Sequence, residues 1–252
     1  MQIKDKVIAI TGGGKGIGRA MAVLFASRGA RVALLDVNEI DLQQTSRLCG
    51  AHTTHVRTYP CNVASESEVV ASFDQIAADF GRLDVLVNNA GILRDAMLIK
   101  RDHGQIRKMS LEHWQQVIDV NLTGVFLCGR EAATHMIQFG NGGVIINLSS
   151  ISRAGNIGQS NYAAAKAGVA SLTVVWAKEL ARYGIRTGAI APGFIHTEIL
   201  NSMPEQILQS VLAQVPLRRG GQPEEVAQAA AFIVENDYFS GRTIELDGGL
   251  RL

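Results

Sequence analysis

The sequence predicts an α/β fold: a doubly wound parallel sheet of about seven strands with helices on both faces. Three observations predict it. Short aliphatic and β-branched runs alternate with amphipathic stretches along the whole chain, which is the rhythm of βαβ units. The runs end in small or polar residues, as strands do where a sheet opens into a crevice. Twenty-six glycines against five prolines suit many tight strand-to-helix turns better than linkers. No linker or repeat divides the 252 residues, so 1–252 is read as one domain.

The first strand, Val7-Ile8-Ala9-Ile10, stops at Thr11-Gly12-Gly13-Gly14-Lys15-Gly16-Ile17-Gly18, and a helical pattern then carries Met21, Leu24 and Phe25 to Gly29. In that context glycines let backbone N–H groups approach a diphosphate at a helix N-terminus. The spacing is one residue longer than the commonest dinucleotide fingerprint. Arg31–Asp36 is the second strand, and its terminal carboxylate lies 18 residues after Gly18, where such a site holds the adenosine ribose hydroxyls. A carboxylate accepts from both hydroxyls and repels a 2′-phosphate, so Asp36 argues for NAD over NADP. Lys15 pulls the other way, but Val37 supplies no further cation, and Asp36 is expected to win.

His55–Val63 is the third strand, its end placing Asn62 beside the adenine. A helix capped by Ser65-Glu66-Ser67-Glu68 runs to Phe80, and Leu83–Val87 is a buried strand running into Asn88-Asn89-Ala90-Gly91. From Ile92 to Met109 the pattern fails. Lys100, Arg101, Asp102, His103, Gln105, Arg107 and Lys108 surround Gly104, a solvated loop or else a flap near the substrate mouth. Ser110 opens a long helix through Ile137 with Asn121 in its interior, either a satisfied core amide or a site residue. Gly143–Ser150 is a strand with hydroxyls at its end, and 161–183 is a helix. Ile185–Gly193 gives a strand and turn, and Phe194–Val215 a segment with helical stretches that closes over a substrate. A helix from Gln222-Pro223 and the strand Thr243–Leu246, with its Asp247-Gly248-Gly249 turn, complete the chain.

Within 161–183, Tyr162 and Lys166 are four apart and so share a helix face. An ammonium beside a phenol stabilises the phenolate and lowers the phenol's pKa toward neutrality, so Lys166 is expected to lower that of Tyr162.

Composition narrows the partners. An apolar fraction of 47% supplies a large core, and 19% charged residues with a net charge of +1, both signs interspersed, do not suggest nucleic acid. No apolar run suits a membrane span, and Met1–Lys6 does not read as a signal peptide. Cys49, Cys61 and Cys128 are scattered without metal-ligand spacing. No metal is expected, and the thiols suit a reducing cytoplasm.

Over nearly its whole length the chain resembles the short-chain dehydrogenase/reductases, in Thr11-Gly12-x-x-x-Gly16-x-Gly18, Asn88-Asn89-Ala90-Gly91, Asn121, a serine at a strand end, Tyr162-x-x-x-Lys166, Pro192-Gly193 and Asp247-Gly248-Gly249. It departs from the family's pattern at Asn62, more often Asp, at Thr187-Gly188, more often Val-Asn, and in the longer 92–109 loop. The family's usual interval back from Tyr162 selects Ser149, whereas the strand end selects Ser150. A loop shortens more easily than a buried strand shifts register, which favours Ser150.

The resemblance implies a Rossmann-like fold and a catalytic set of Asn121, Ser150, Tyr162 and Lys166. In it Tyr162 is the general acid/base, Ser150 holds the reacting oxygen, Lys166 also binds the nicotinamide ribose, and Asn121 holds a water linking Lys166 to solvent. The cofactor would lie along Gly12, Lys15, Gly16, Ile17 and Gly18, then Asp36, Asn62 and Val63, then Asn89, Ala90 and Gly91. Its nicotinamide end would meet Tyr162, Lys166, Pro192, Gly193, Ile195 and Thr197. Leu93, Ile151, Ile157, Phe194 and Ile199 are the apolar candidates for a substrate pocket. The expected reaction is hydride transfer between NAD(H) and a hydrophobic secondary alcohol or ketone, whether aliphatic, cyclic or aryl. The alternative is an NADPH-dependent 3-oxoacyl-thioester reductase, acting on a chain carried by a protein or coenzyme, which the overall sequence also resembles. A non-catalytic dinucleotide-binding regulator would have no need of the Tyr162–Lys166 pair. The family's habit implies a homotetramer built on the two long helices and the last strand.

Overall fold

Strands buried on both faces read as continuous apolar runs, and the sheet is made of such runs. The computed structural model describes residues 1–102, 104–201 and 205–251. His103, Ser202–Pro204 and the side chain of Ile199, all drawn into expectations above, lie outside what is described. In chain order the strands are β1 Val7–Thr11, β2 Arg31–Asp36, β3 Val56–Pro60, β4 Val85–Asn88, β5 Ile99–Asp102, β6 Gln105–Lys108, β7 Gly143–Leu148, β8 Ile185–Pro192 and β9 Arg242–Leu246. Seven of them form one parallel sheet in the order β3-β2-β1-β4-β7-β8-β9. These are the seven strands expected from the sequence.

The alternation of side chains along each strand divides the core in two. Ile8, Ile10, Val85 and Val87 pack with α1 (Gly16–Ser27) and α2 (Glu39–Gly50), and with α9 (Pro223–Glu235) on the same face. Val7, Ala9 and Leu86 pack on the other face with α3 (Glu66–Phe80), α5 (Gly124–Phe139) and α6 (Ser160–Leu180). The order reverses at β1, which lies between β2 and β4. A doubly wound sheet binds its ligands outside the carboxyl ends of the strands at that switch point. Among the described residues no helix is long and apolar enough to cross a membrane.

Two of the expected stretches differ. The 92–109 stretch is not all loop, because β5 and β6 pair antiparallel as a separate hairpin. The hairpin is exposed, so no burial forces an apolar alternation that the sequence would reveal. The helix expected from Ser110 to Ile137 is broken into α4 (Leu111–Ile118), a π-helical turn Asp119–Thr123 and α5. There α5 runs so close to the loop that follows β3 that a Cβ on Gly124 would lie 2.9 Å from Val63 Cγ2. Phe194–Val215 does carry helical stretches, α7 (Glu198–Asn201) and α8 (Glu205–Leu212).

Candidate active site

The glycine loop that follows β1 is shaped for close approach. Gly12 and Gly16 have φ of +61° and +53°, a region that side chains disfavour. A Cβ on Gly18 would lie 2.1 Å from the Gly12 carbonyl oxygen, so the first turn of α1 rests directly on the loop and aims its N–H groups over it. Side chains unseen in the sequence pattern fix the loop from outside. The Thr45 hydroxyl donates to the Gly14 carbonyl at 2.6 Å, and Arg19 donates to the same oxygen at 2.7 Å. From the β4 side, Asn89 Nδ2 donates to the carbonyls of Thr11 and Gly12, both at 3.0 Å, and the Asn89 and Ala90 N–H groups donate to Thr11 Oγ1.

Asp36 stands at the rim of this loop. One carboxylate oxygen accepts from the Gly14 N–H at 3.0 Å and the other from the Asn38 N–H at 3.1 Å, which leaves each a further lone pair. Lys15 points away to Glu198 on α7, 3.0 Å from its carboxylate. That contact raises the Lys15 pKa, with Asp41 and Asp36 adding to it, against a smaller cost of desolvation. Asn62 is exposed, and its Oδ1 accepts from the Ala64 N–H. Val63 is buried beside it and lines the cleft.

Beyond the sheet's edge the two serines after β7 separate. Ser149 is buried and its hydroxyl donates to the Lys166 carbonyl at 2.8 Å, tying β7 to α6. Ser150 caps a short 3₁₀ turn, Ile151–Ala154, accepting from the Ser152 N–H, and its hydroxyl acts on the neighbouring Tyr162 phenol to lower its pKa. Burial pushes the Tyr162 phenol up to about 12, the Ser150 hydrogen bond pulls it down, and the Asp95 carboxylate adds to the rise.

Lys166 is only 3% exposed, and its ammonium donates to the Leu148 carbonyl at 2.6 Å and lies 5.5 Å from the Tyr162 ring centre. Desolvation pulls its pKa down to about 8. The expectation that Lys166 brings the phenol below its ordinary pKa is therefore corrected. The two groups share the helix face, but burial dominates both, and the ammonium is turned to a backbone carbonyl.

Asn121 sits fully buried in the π-helical turn. Its Oδ1 accepts from the Ile92 N–H at 2.8 Å and its Nδ2 donates to the Ile92 carbonyl at 3.0 Å. Both ends of the amide are thus engaged with the backbone that follows Gly91, and the side chain does not line the cleft. Through that amide it fixes the wall beside Gly91.

One cleft of about 550 Å³ joins these parts. Gly12, Lys15, Gly16, Ile17, Asp36, Asn62, Val63, Asn89, Ala90, Gly91, Ser150, Tyr162, Lys166, Pro192, Gly193, Ile195 and Thr197 all line it, while Gly18 lies behind the loop. Leu93, Ile151 and Phe194 line the far end. Ile157 does not: it is 85% exposed, and is removed from the apolar set. The same end holds a polar chain the sequence reading missed, in which Asn156 donates to Gln159 at 3.1 Å and Gln159 to Asp95 at 2.9 Å.

A glycine-loop groove continuous with a Tyr–Ser–Lys cluster is the arrangement of a nicotinamide-dependent oxidoreductase, and the chain belongs to the short-chain dehydrogenase/reductase family. Residues 12–251 match the family description "Enoyl-(Acyl carrier protein) reductase". The chain is similar to a 3-oxoacyl-[acyl-carrier-protein] reductase FabG of Thermotoga maritima, with 41% identity over 252 residues and 99% of each chain covered. It is likewise 40% identical to a (3R)-3-hydroxyacyl-CoA dehydrogenase of Rattus norvegicus, covering 99% of this chain and 98% of that one. A third relative, carbonyl reductase family member 4 of Xenopus tropicalis, is 39% identical, with 98% of each chain covered.

Proposed function

We propose that the protein interconverts 3-oxoacyl and 3-hydroxyacyl thioesters with NAD(H). The observation that carries the substrate class is near-full-length similarity to relatives of two names, a 3-oxoacyl-thioester reductase and a 3-hydroxyacyl-thioester dehydrogenase. Both names describe the two directions of one reaction on carbon 3 of a thioester-linked chain. This favours the thioester substrate of the alternative reading over a free secondary alcohol, while Asp36 supports NAD(H) in place of that alternative's NADPH. A cleft that continues past Tyr162 into Leu93, Ile151 and Phe194 suits an acyl chain.

NAD(H), when bound, supplies or accepts the hydride. Tyr162 gives its phenolic proton to the oxygen on carbon 3 during reduction and takes it back during oxidation. Ser150 donates a hydrogen bond to that same oxygen and fixes its distance from Tyr162. Lys166 is held by the Leu148 carbonyl and does not bring the resting phenol below its ordinary pKa. Its charge, 5.5 Å from the Tyr162 ring centre, nonetheless lowers the cost of the phenolate as the proton leaves. Asn121 acts through Ile92, holding the wall beside Gly91. Asp36 receives the adenosine ribose hydroxyls and turns away a 2′-phosphate. Glu198 meets the Lys15 charge that would otherwise attract one, which supports NAD over NADP.

Assembly as a homotetramer is part of the proposal, supported by exposed Phe126, Ile137 and Phe139 on α5 and Val174 and Val175 on α6. A cytoplasmic setting is supported by three cysteines that are all free and buried. Initial rates with NAD(H) test the substrate class, using acetoacetyl-CoA against cyclohexanone and acetophenone. The thioester is expected to have a kcat/KM at least about a hundredfold higher. Equal or better turnover of a simple ketone would return the reading to a general alcohol dehydrogenase.

A further inference from the structure

The β5–β6 hairpin is the most charged element of the chain and has no part in the cleft. Its described residues carry four cations, Lys100, Arg101, Arg107 and Lys108, against one carboxylate, Asp102. The whole chain has a net charge of only +1, so the remainder carries a small net negative charge, and the positive excess is concentrated on this ribbon. Every one of the four is exposed. None takes part in an ion pair among the described residues.

The register sharpens this. Lys100 stands directly opposite Arg107, which brings their Cβ atoms to about 4.5–5.5 Å and makes the pair repulsive. An isolated two-stranded hairpin is only marginally stable in water. The same face carries one carboxylate, Asp102 opposite Gln105, against these two cations, so a further anion that joins them relieves the remaining excess. A phosphate does so well, since its oxygens accept from an ammonium and a guanidinium together. The opposite face presents Ile99 and Ile106 beside Lys108 and Arg101, an apolar surface framed by cations.

Position connects the hairpin to the site. The Ala96 N–H donates to the Gly158 carbonyl at 2.8 Å, and Ala96 bridges to Gln159. Gln159 and its partner Asp95 line the cleft. The hairpin begins three residues later at Ile99, and the Met109 N–H closes its base on the Leu98 carbonyl. Strands of four residues then extend about 13 Å from that base.

We propose that the hairpin grips the phosphates of coenzyme A when the thioester is presented as an acyl-CoA, Lys100 and Arg107 sharing one phosphate. The assignment rests on the thioester reading of the cleft. It commits to a small phosphorylated carrier because the cations are confined to a ribbon two strands wide, where point charges meet phosphates better than a broad protein face.

The test compares acetoacetyl-CoA with acetoacetyl-N-acetylcysteamine, which has the thioester but no phosphate, for the unaltered enzyme, the double variant Lys100→Gln/Arg107→Gln and the single reversal Lys100→Glu. The expected result is a KM for acetoacetyl-CoA raised roughly tenfold in the double variant, with kcat kept, the effect shrinking at high salt, and the N-acetylcysteamine thioester unaffected. Equal KM changes for both thioesters, or none, would overturn the inference while leaving the thioester reading intact. An effect confined to acetoacetyl-acyl-carrier-protein would overturn it in favour of a protein partner. A change in the enzyme's mass by light scattering would overturn it in favour of a contact between copies. No turnover of either thioester by the unaltered enzyme would overturn the proposed function and this inference with it.

Discussion

Two lysines line one cleft and have opposite electrostatic fates. Lys15 is 56% exposed, meets Glu198 at 3.0 Å and has its pKa raised by that contact. Lys166 is 3% exposed, faces a backbone carbonyl in place of a carboxylate, and has its pKa pulled down to about 8 by desolvation. An exposed, paired ammonium simply stays charged, and its ion pair contributes little. A buried one held by a neutral acceptor is poised to respond to charge and protons near physiological pH. The difference separates the groove where a dinucleotide would be recognised from the end where chemistry would occur.

Removing the phenol is the strongest way to separate the two ends. Tyr162→Phe is expected to lower kcat by about a thousandfold or more while leaving the Kd for NADH, read by fluorescence titration, within a factor of about two. A matching loss of NADH affinity would show that the two ends are not separable.

Lys166→Met comes next, with a kcat loss of about a hundredfold and a second signature in stability. The Lys166 pKa in the fold, about 8, lies below its ordinary value of 10.5, so the folded state disfavours the charged form. The cost is fully present below pH 8 and is relieved as pH rises from 8 to 10.5. Lys166→Met should therefore gain stability at pH 7, by up to about 3 kcal/mol, and less at pH 9.5, as measured by urea unfolding. In the unaltered enzyme the reduction rate should fall above about pH 8 as Lys166 loses its charge, and the variant should lack that limb. A pH-independent stability difference would contradict the desolvation argument.

Lys15→Ala should do least. An exposed pair is worth less than about 1 kcal/mol, so the Kd for NADH should change by less than about threefold. A loss of NADH affinity of about a hundredfold would mean that Lys15 holds the cofactor directly.

The same contrast explains what was legible in the sequence. Gly12, Gly16 and Gly18 could be read because backbone geometry leaves a compositional trace, and Asp36 because strand-end spacing is fixed by the fold. Tyr162 and Lys166 could be read because four residues on a helix define a face. Burial leaves no such trace, so the direction of the shift at Tyr162 and the separate engagements of Ser149 and Ser150 became visible only once β7 was packed on α6. Arg19 with Thr45, and Asp95 with Gln159, meet across gaps in sequence that no local pattern records. The helix α2 went unread because few of its residues are buried, Leu42, Thr45 and Cys49, too sparse a stripe for periodicity to mark. Asn121 stayed open between core and site until both ends of its amide were seen to hold Ile92.

The central claim, an NAD(H)-linked thioester oxidoreductase with Asp36 governing the cofactor, is tested most directly by kcat/KM for NADH and for NADPH at fixed, saturating acetoacetyl-CoA. A ratio of at least about ten in favour of NADH is predicted, since a 2′-phosphate would meet the Asp36 carboxylate. Equal or better turnover with NADPH would contradict it, and would mean that Lys15 leaves Glu198 to hold that phosphate.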